Sequence, residues 1–378
     1  VGVAFGGRSV EHDVSIITGL QAVAALSERH APVPVYIARS GRWYTGEALR
    51  DLAVYQQGKQ GGGDPDAEEV TFDLHSGRLL PVPRHGVHVP GGGSLLRTPW
   101  RGTPRGGGQA GGRRAGGRGG RGDQSIDLDA VVLATHGTQG EDGCLQGALE
   151  LAQLPYAGPP VGAAAAAMDK VLTKAVLAQA GLPALAHLAL RRADWDAGRD
   201  ACLVRARAAF GFPLYVKPAS LGSSVGVSRC EDDAELAEAL ELAFELDRVC
   251  LVEPAAQGGI EVNCAVIGRP GEPARASVCE QPLASGGLLS FEDKYMRSGK
   301  AEGSKSAQRL IPAPIGDRLT ERVRELARAA FAAFGCAGVT RVDFLVDAQE
   351  RVWINELNTI PGSFSFYLWE PAGLPFVD

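Results

Sequence analysis

Residues 340–346 and 352–357 alternate apolar with polar side chains on either side of a polar turn at 347–350. A period of two is the period of a strand, so this stretch predicts an antiparallel hairpin that closes the last domain. Arg341 and Asp343 then lie on one face of the first strand, and Glu356 and Asn358 on one face of the second. Pairing symmetric about a four-residue turn sets Arg341 opposite Glu356 and Asp343 opposite Ile354, all on the same face of the sheet. Two carboxylates, an amide oxygen and a guanidinium in one patch form a hard-oxygen donor set that suits magnesium. A surface hairpin with a salt bridge carries the same alternation, and a bulge in either strand would break the constellation.

A second feature gives the hairpin a partner. The run Lys217-Pro-Ala-Ser-Leu-Gly-Ser-Ser-Val-Gly226 reads as a strand-ending lysine followed by a flexible loop. Backbone N–H groups and hydroxyls in such a loop can wrap phosphate oxygens while Lys217 supplies charge. It is neither a Walker A loop nor a G-x-G-x-x-G turn, and an ordinary Gly/Ser turn after a strand would look the same.

The rest of the chain alternates strands and helices. It opens with a strand at 1–5, a glycine turn, a helix from about Ser15 to Leu26 and a strand at 33–37, a β-loop-α-β unit. A strand at 129–134 ends beside His136, and Pro155, Pro159 and Pro160 mark a domain boundary. Helices are expected at 145–152, 168–180, 232–246 and 317–334, with strands at 214–217, 249–253 and 261–267. Residues 58–123 break this rhythm and read as a disordered insertion, because a Gly-, Pro- and Arg-rich segment buries too little apolar surface to offset its ordering entropy. The predicted class is α/β.

Charge and cysteine usage exclude several functions. Between Arg97 and Gly122 stand seven Arg and no acid, which leaves −13 on the rest of a chain whose net charge is −6. An acidic body argues against a nucleic-acid enzyme, which needs a broad basic face. The seven cysteines are scattered without a C-x-x-C pair, so neither a disulfide framework nor a zinc site is expected, and a reducing cytoplasm is the expected compartment. No apolar run reaches 18 residues, which argues against a membrane span. The opening Val-Gly-Val-Ala-Phe lacks an initiator Met and reads as a trimmed start.

Taken together, the hairpin and the Lys217 loop resemble the ATP-grasp superfamily. Further motifs resemble those of the D-alanine–D-alanine ligase family. They are Gly6-Gly-Arg-Ser-Val-Glu-His-Asp-Val-Ser15, His136-Gly-Thr-Gln-Gly-Glu-Asp-Gly143 with Gln146-Gly147, Met168-Asp-Lys170 and Gly222-Ser-Ser-Val-Gly226. Asp293-Lys-Tyr295, Arg341-Val-Asp343 and Glu356-Leu-Asn-Thr-Ile-Pro-Gly362 complete the series in family order. The resemblance implies a three-domain ATP-grasp ligase. A Rossmann-like N-terminal domain over 1–158, with its insertion near 97–123, would precede two α+β domains clamping ATP, at 159–253 and 254–378.

It also implies roles. Lys170 and Lys217 would hold ATP phosphates, with Ser224 in the same loop. Glu253 and Glu261 would contact adenine and ribose, and Phe291 would pack on the adenine. Asp343, Glu356 and Asn358 would ligate two magnesium ions, which manganese can replace. Glu11 would pair with the ammonium of the first D-alanine, with Ser223 and Tyr295 linked to it and Lys294 beside them. Arg341 and the Gly362 N–H would stabilise the tetrahedral oxyanion, and His136, Ser365, Tyr367 and Leu368 would touch substrate. His12, Glu141 and Asp142 are read mainly as structural, and the family suggests a homodimer.

Four departures from the family pattern stand out. The lid loop Phe291-Glu-Asp-Lys-Tyr295 is short, and Ser-Phe-Ser-Phe-Tyr-Leu-Trp369 follows Gly362 in place of the usual Thr/Ser pattern. The hinge Glu253-Pro-Ala-Ala256 lacks a bulky aromatic, and the chain stops at Asp378, short of the terminal helix the family leads one to expect. Rival readings are a D-serine- or D-lactate-using ligase, an inactive relative, and an RNA binder using Arg113–Arg121 without interleaved aromatics.

Overall fold

Three sheets organise the chain in the computed structural model, which describes residues 1–57, 67–82, 125–256, 259–283 and 309–378. In the first, β1 (Gly2–Gly6) is buried along its whole length, as a parallel strand covered on both faces must be. Helix α1 (His12–Leu26) returns the chain to β2 (Val33–Ile37), parallel to β1. The helix begins three residues before Ser15, because Ser15 serves the sheet: its Oγ accepts the Gly6 N–H (2.7 Å) and donates to Ala134 O (2.7 Å). α1 lies so close on β1 that a Cβ at Gly19 would fall 2.3 Å from the Phe5 ring.

Strands β3 (Trp43–Thr45), β4 (Glu68–Asp73) and β5 (Arg78–Pro81) extend this sheet antiparallel on one side, with helix α2 (Leu52–Gln57) between β3 and β4. β6 (Val131–Leu133), helix α3 (Cys144–Leu151) and β7 (Tyr156–Ala157) extend it parallel on the other. The strand order is β5-β4-β3-β2-β1-β6-β7. The reading of 58–123 as one insertion is corrected here. Residues 68–81 form a hairpin whose Val70 and Leu79 pack with Val35, and whose Phe72 stacks on Trp43. The remainder of that segment, with its Gly/Arg run, lies outside the described residues.

Helices α4 (Val161–Met168) and α5 (Lys170–Gln179) follow. Asp169 separates them: its extended backbone ends α4, and its carboxylate caps α5 by accepting the Val171 and Leu172 N–H groups. The second sheet comprises β8 (Leu188–Arg191), β9 (Leu214–Pro218), β10 (Ser228–Cys230) and β11 (Val249–Pro254), all antiparallel in the order β10-β9-β11-β8. Helices α6 (Arg192–Ala197), α7 (Arg199–Phe210) and α8 (Asp233–Leu246) accompany it, and Leu236, Leu240 and Phe244 of α8 fill its core.

The third sheet holds β12 (Ile260–Gly268), β13 (Arg275–Pro282), β14 (Arg309–Leu310), β15 (Gly338–Val346) and β16 (Val352–Asn358), in the order β14-β13-β12-β15-β16. Helix α9 (Asp317–Ala333) presses Leu319, Val323, Leu326 and Phe331 against one face, beside Val262, Val342 and Phe344. Ala163, Ala167 and Leu177 of α4 and α5 join this core. The short helix α10 (Phe366–Trp369) packs on β12 and β13.

The final hairpin is where the sequence expected it, with a different register. The turn is one residue longer than assumed, so Val346 pairs with Val352 and Phe344 with Ile354. The register then shifts between Asp343 and Phe344, leaving Asn355 as an extra residue, and Asp343 pairs with Glu356 and Arg341 with Asn358. Each change alone would have reversed the faces; the two cancel. The bulge has a packing cause. Ile354 is fully buried beside Phe344, and strict alternation would drive Glu356 into the same core. One extra residue lets Ile354 and Leu357 face inward while Glu356 and Asn358 face Asp343 and Arg341.

Candidate active site

The face of β15 and β16 turned away from α9 carries a polar cluster. Arg341 donates from Nε and Nη2 to the two oxygens of Asp343, both at 2.7 Å, and Asn358 Nδ2 donates to Asp343 Oδ2 at 2.9 Å. Burial by itself would lower the Arg341 guanidinium, but the Asp343 carboxylate beside it outweighs burial and holds it well above its usual value. Asp343 and Glu356 stand directly opposite one another, a costly pairing of like charges unless cations lie nearby. Among the described residues no group of three or more His, Cys, Asp or Glu gathers as a metal cage. The donors here are two carboxylates and an amide oxygen, all hard. Such a set fits an ion like magnesium that keeps water and phosphate oxygens for its remaining positions.

Lysines reach this cluster from the second sheet and α5. Lys217, near the end of β9, pairs with Glu253 at 2.6 Å and donates to Asn355 Oδ1 at 3.1 Å, so the bulged residue points at the second sheet. Lys174 pairs with the other Glu253 oxygen at 2.7 Å. Burial would raise the Glu253 carboxyl, yet Lys217 and Lys174 outweigh it and hold it down at about 2. Lys170, one helical turn before Lys174, donates to Leu221 O, and burial pushes its ammonium down despite the Glu356 charge. Glu253, expected beside adenine, is therefore the centre of a buried Lys–Glu–Lys triad. Glu261 lies on the same face of β12 as Asn263, which faces Asp343.

The Gly/Ser loop closes over the first sheet. Ser223 and Ser224 both adopt left-handed backbone, φ 52° and 59°, and Ser223 Oγ donates to Glu11 Oε1. Glu11 is buried. Gly137, φ +69°, has no room for a side chain, since a Cβ there would fall 2.1 Å from Ser9 Oγ and 2.6 Å from Glu11 Oε2. Glu141, expected to be structural, lies in the same buried corner and accepts the Gly137 N–H (2.8 Å) and the Ile360 N–H (3.1 Å). Burial, reinforced by Glu11, pushes its carboxyl up to about 8. A cavity of about 40 Å³ is lined by Glu11, Glu141, Lys170, Gly222, Glu356 and Asn358, drawn from all three parts of the chain.

His136 is buried and neutral: burial pulls it down to about 4. Its Nε2 meets Thr18 Oγ1 at 2.8 Å, and that hydroxyl accepts the Ser363 N–H at 3.0 Å. The chain after Gly362 takes an unusual path, with Ser363, Phe364 and Ser365 at φ 52°, 50° and 52° in succession. Three non-glycine residues in the left-handed region cost about 1–2 kcal/mol each, so neighbouring contacts must hold them there. Ser365 is fully buried, and its Oγ has no hydrogen-bond partner. Tyr367 donates to Glu280 Oε1 at 3.2 Å, and Leu368 is packed with Ala265 and Trp369. Among residues read as structural, His12 bonds Gly7 O and Tyr36 OH, and Asp142 accepts the Gln139 and Cys144 N–H groups.

The structure thus brings together Glu11, Ser223, Lys170, Lys217, Arg341, Asp343, Glu356 and Asn358. Phe291, Lys294 and Tyr295 lie outside the described residues. Lys174, Asn355 and Thr18 are additions that the sequence reading did not name, and Glu141, read there as mainly structural, joins them. Lys174 was signalled by its i,i+4 spacing from Lys170, and Asn355 by the broken apolar alternation of Val352, Ile354 and Leu357.

Comparison with known proteins matches the chain in two segments. Residues 1–159 match the family model for the D-ala D-ala ligase N-terminus, and residues 176–378 match that for the D-ala D-ala ligase C-terminus. The chain is 36% identical to a D-alanine--D-alanine ligase of Chlorobium limicola over 382 residues, covering 100% of this chain and 93% of that one. It is 31% identical to a D-alanine--D-alanine ligase of Thermosipho africanus, covering 100% and 89%. Among solved structures it is similar to the VanG D-Ala:D-Ser ligase of Enterococcus faecalis, with a TM-score of 0.75, 26% identity, and coverage of 100% and 95%.

Proposed function

Because the chain belongs to the D-alanine–D-alanine ligase family, with its ATP-grasp fold, we propose that it joins two D-alanine molecules at the expense of ATP, for peptidoglycan precursor synthesis. The reading rests above all on one convergence. Glu11, tied to Ser223 of the Gly/Ser loop, lines a single cavity with Glu356 and Asn358 of the last hairpin.

In this reading Glu11 holds the ammonium of the first D-alanine and so aims its carboxylate toward the hairpin. Lys170 and Lys217 hold ATP phosphates, with Glu253, itself paired to Lys174, fixing Lys217 in place and Leu221 O holding Lys170. Asp343, Glu356 and Asn358 would hold magnesium, or manganese in its stead, whose charge offsets that of the phosphates. The first carboxylate attacks the γ-phosphorus to give an acyl phosphate and ADP. The amine of the second D-alanine attacks the acyl carbon, and Arg341 faces the oxygen on which negative charge develops. Phosphate then leaves. By family resemblance Phe291, Lys294 and Tyr295 would also serve the reaction, as would Gly362. The division at 158 and 253, a homodimer and a cytoplasmic location belong to the same reading. Among the described residues no helix is long and apolar enough to cross a membrane.

The test is phosphate release by the purified protein supplied with ATP, magnesium and D-alanine, and then with D-serine or D-lactate as second substrate. Release with D-alanine and recovery of the dipeptide are expected. Absence of both overturns the reading, and a clear preference for D-serine would reassign the second substrate.

A further inference from the structure

Four side chains stand in a row across the third sheet. Glu280 of β13 faces Asn263 of β12, Asn263 faces Asp343 of β15, and Asp343 faces Glu356 of β16. Residues directly opposed in antiparallel strands point to the same face, so the row runs from the candidate magnesium ligands to a corner under α10. Glu280 is 2% exposed and Asn263 4%.

The hydrogen bonds in that corner are lopsided. Asn263 Nδ2 (3.1 Å) and the Tyr367 hydroxyl (3.2 Å) both donate to Glu280 Oε1. Glu280 Oε2 and Asn263 Oδ1 are buried without a hydrogen-bond partner. Arg309 stands 3.7 Å from Oε2, too far for a hydrogen bond, with its guanidinium over the Tyr367 ring at 4.5 Å. A buried carboxylate oxygen without a donor costs free energy that a ligand bearing N–H groups would recover. A fixed anion with a cation beside it is also the complement of an amino-acid zwitterion. Arg341, on the same face of the sheet, is close enough to respond to the charges of both Tyr367 and Glu280.

We propose that Glu280 is the proton acceptor for the second amino acid, whose ammonium docks on its Oε2 while Arg309 faces the substrate carboxylate. The proposal rests on the reading that the peptide bond is made beside Arg341. One N–H bond of the ammonium breaks and its proton passes to Glu280. The freed lone pair forms the C–N bond at the acyl carbon, the C–O bond to phosphate breaks, and the second proton lost by the nitrogen leaves with the phosphate as hydrogen phosphate. Asn263 and Tyr367, both bonded to Oε1, hold the carboxylate so that Oε2 faces the substrate. A hydroxy acid brings no cation to this anion, so the corner favours amine over hydroxyl acceptors.

Glu280→Gln and Glu280→Asp separate the two chemical steps. Scrambling of the β,γ-bridge oxygen of labelled ATP in the presence of D-alanine reports acyl phosphate formation, and dipeptide release reports the second step. Glu280→Gln is expected to retain scrambling while dipeptide release falls about 100-fold, the scale of a lost proton acceptor. Glu280→Asp should restore part of the rate and shift its pH profile. Unchanged dipeptide release in Glu280→Gln overturns the proposal. So does equal loss of scrambling and release in both variants, which would make Glu280 only an anchor for Tyr367. Absence of scrambling in the unmodified protein is a separate result and overturns the ligase reading itself.

Discussion

The Glu141 carboxylate accepts the backbone N–H of Ile360 at 3.1 Å, across 219 residues of sequence, and so fastens the exit of β16 to the loop after β6. Its folded-state value of about 8 lies above its ordinary 4.5, so the folded protein holds the extra proton between those limits. Stability therefore falls as pH rises from about 5 to 8. Glu141→Gln should flatten that slope in denaturant titrations and lower turnover by loosening the Ile360 contact. A variant with the parent's slope would contradict the assignment.

Glu253 behaves in the opposite sense. Its folded value of about 2 lies below its ordinary 4.5, so its contribution is present above about pH 4.5 and is lost as pH falls toward 2. Glu253→Gln leaves Lys174 and Lys217 buried with their shared counter-charge gone, which should cost about 3–5 kcal/mol in chemical denaturation. A loss below about 1 kcal/mol, the scale of a surface pair, would show that the triad is not the buried anchor described.

Deletion of Asn355 removes the extra residue of β16 and forces a choice between burying Ile354 and presenting Glu356. Magnesium-dependent ATP binding, followed by calorimetry, should disappear. Asn355→Ala, which keeps the bulge and loses only the Lys217 contact, should retain it with weaker affinity. Equal binding by the deletion variant and the parent would refute the parity argument.

Thr18→Val removes the hydroxyl that joins His136 to the Ser363 N–H. Both buried groups lose a partner, so a stability cost of about 1–3 kcal/mol and a lower turnover number are expected. His136 itself, with a folded value near 4 against an ordinary 6.5, binds its proton later than the unfolded chain does. It therefore takes stability away as pH falls from 6.5 to 4 and is silent at higher pH. A His136 ring resonance that titrates near pH 6.5 in NMR spectra would contradict this.

Long periodic segments were legible in the sequence. β2 spans the residues expected of it, and α9 differs from its expectation by one residue, because apolar spacing and caps are local signals. That Arg341, Asp343, Glu356 and Asn358 share one face was also legible, and the hairpin's register was not. A bulge depends on what Ile354 meets across the core, and no run of seven residues records that. β4 and β5 were lost inside a Gly- and charge-rich stretch, since their evidence is a partner strand, β3, more than twenty residues earlier. Glu141 reads as a turn acid in sequence; only the arrival of Glu11 and Ile360 gives its carboxyl a special environment. The Glu280 corner was invisible for the same reason, being assembled by Asn263, Arg309 and Tyr367 from three separated segments.

The left-handed run from Ser363 to Ser365 depends on a distant part of the chain. Locally only the Phe364 N–H bond to Pro361 O supports that backbone, and the Ser363 N–H is held by Thr18, 345 residues earlier. α1 and the segment after β16 must therefore both be seated before the turn can take shape. Displacement of α1 would leave the buried Lys174–Glu253–Lys217 triad intact and still undo the turn. The turn thus works as a latch between two distant segments, set by one threonine hydroxyl that also holds His136.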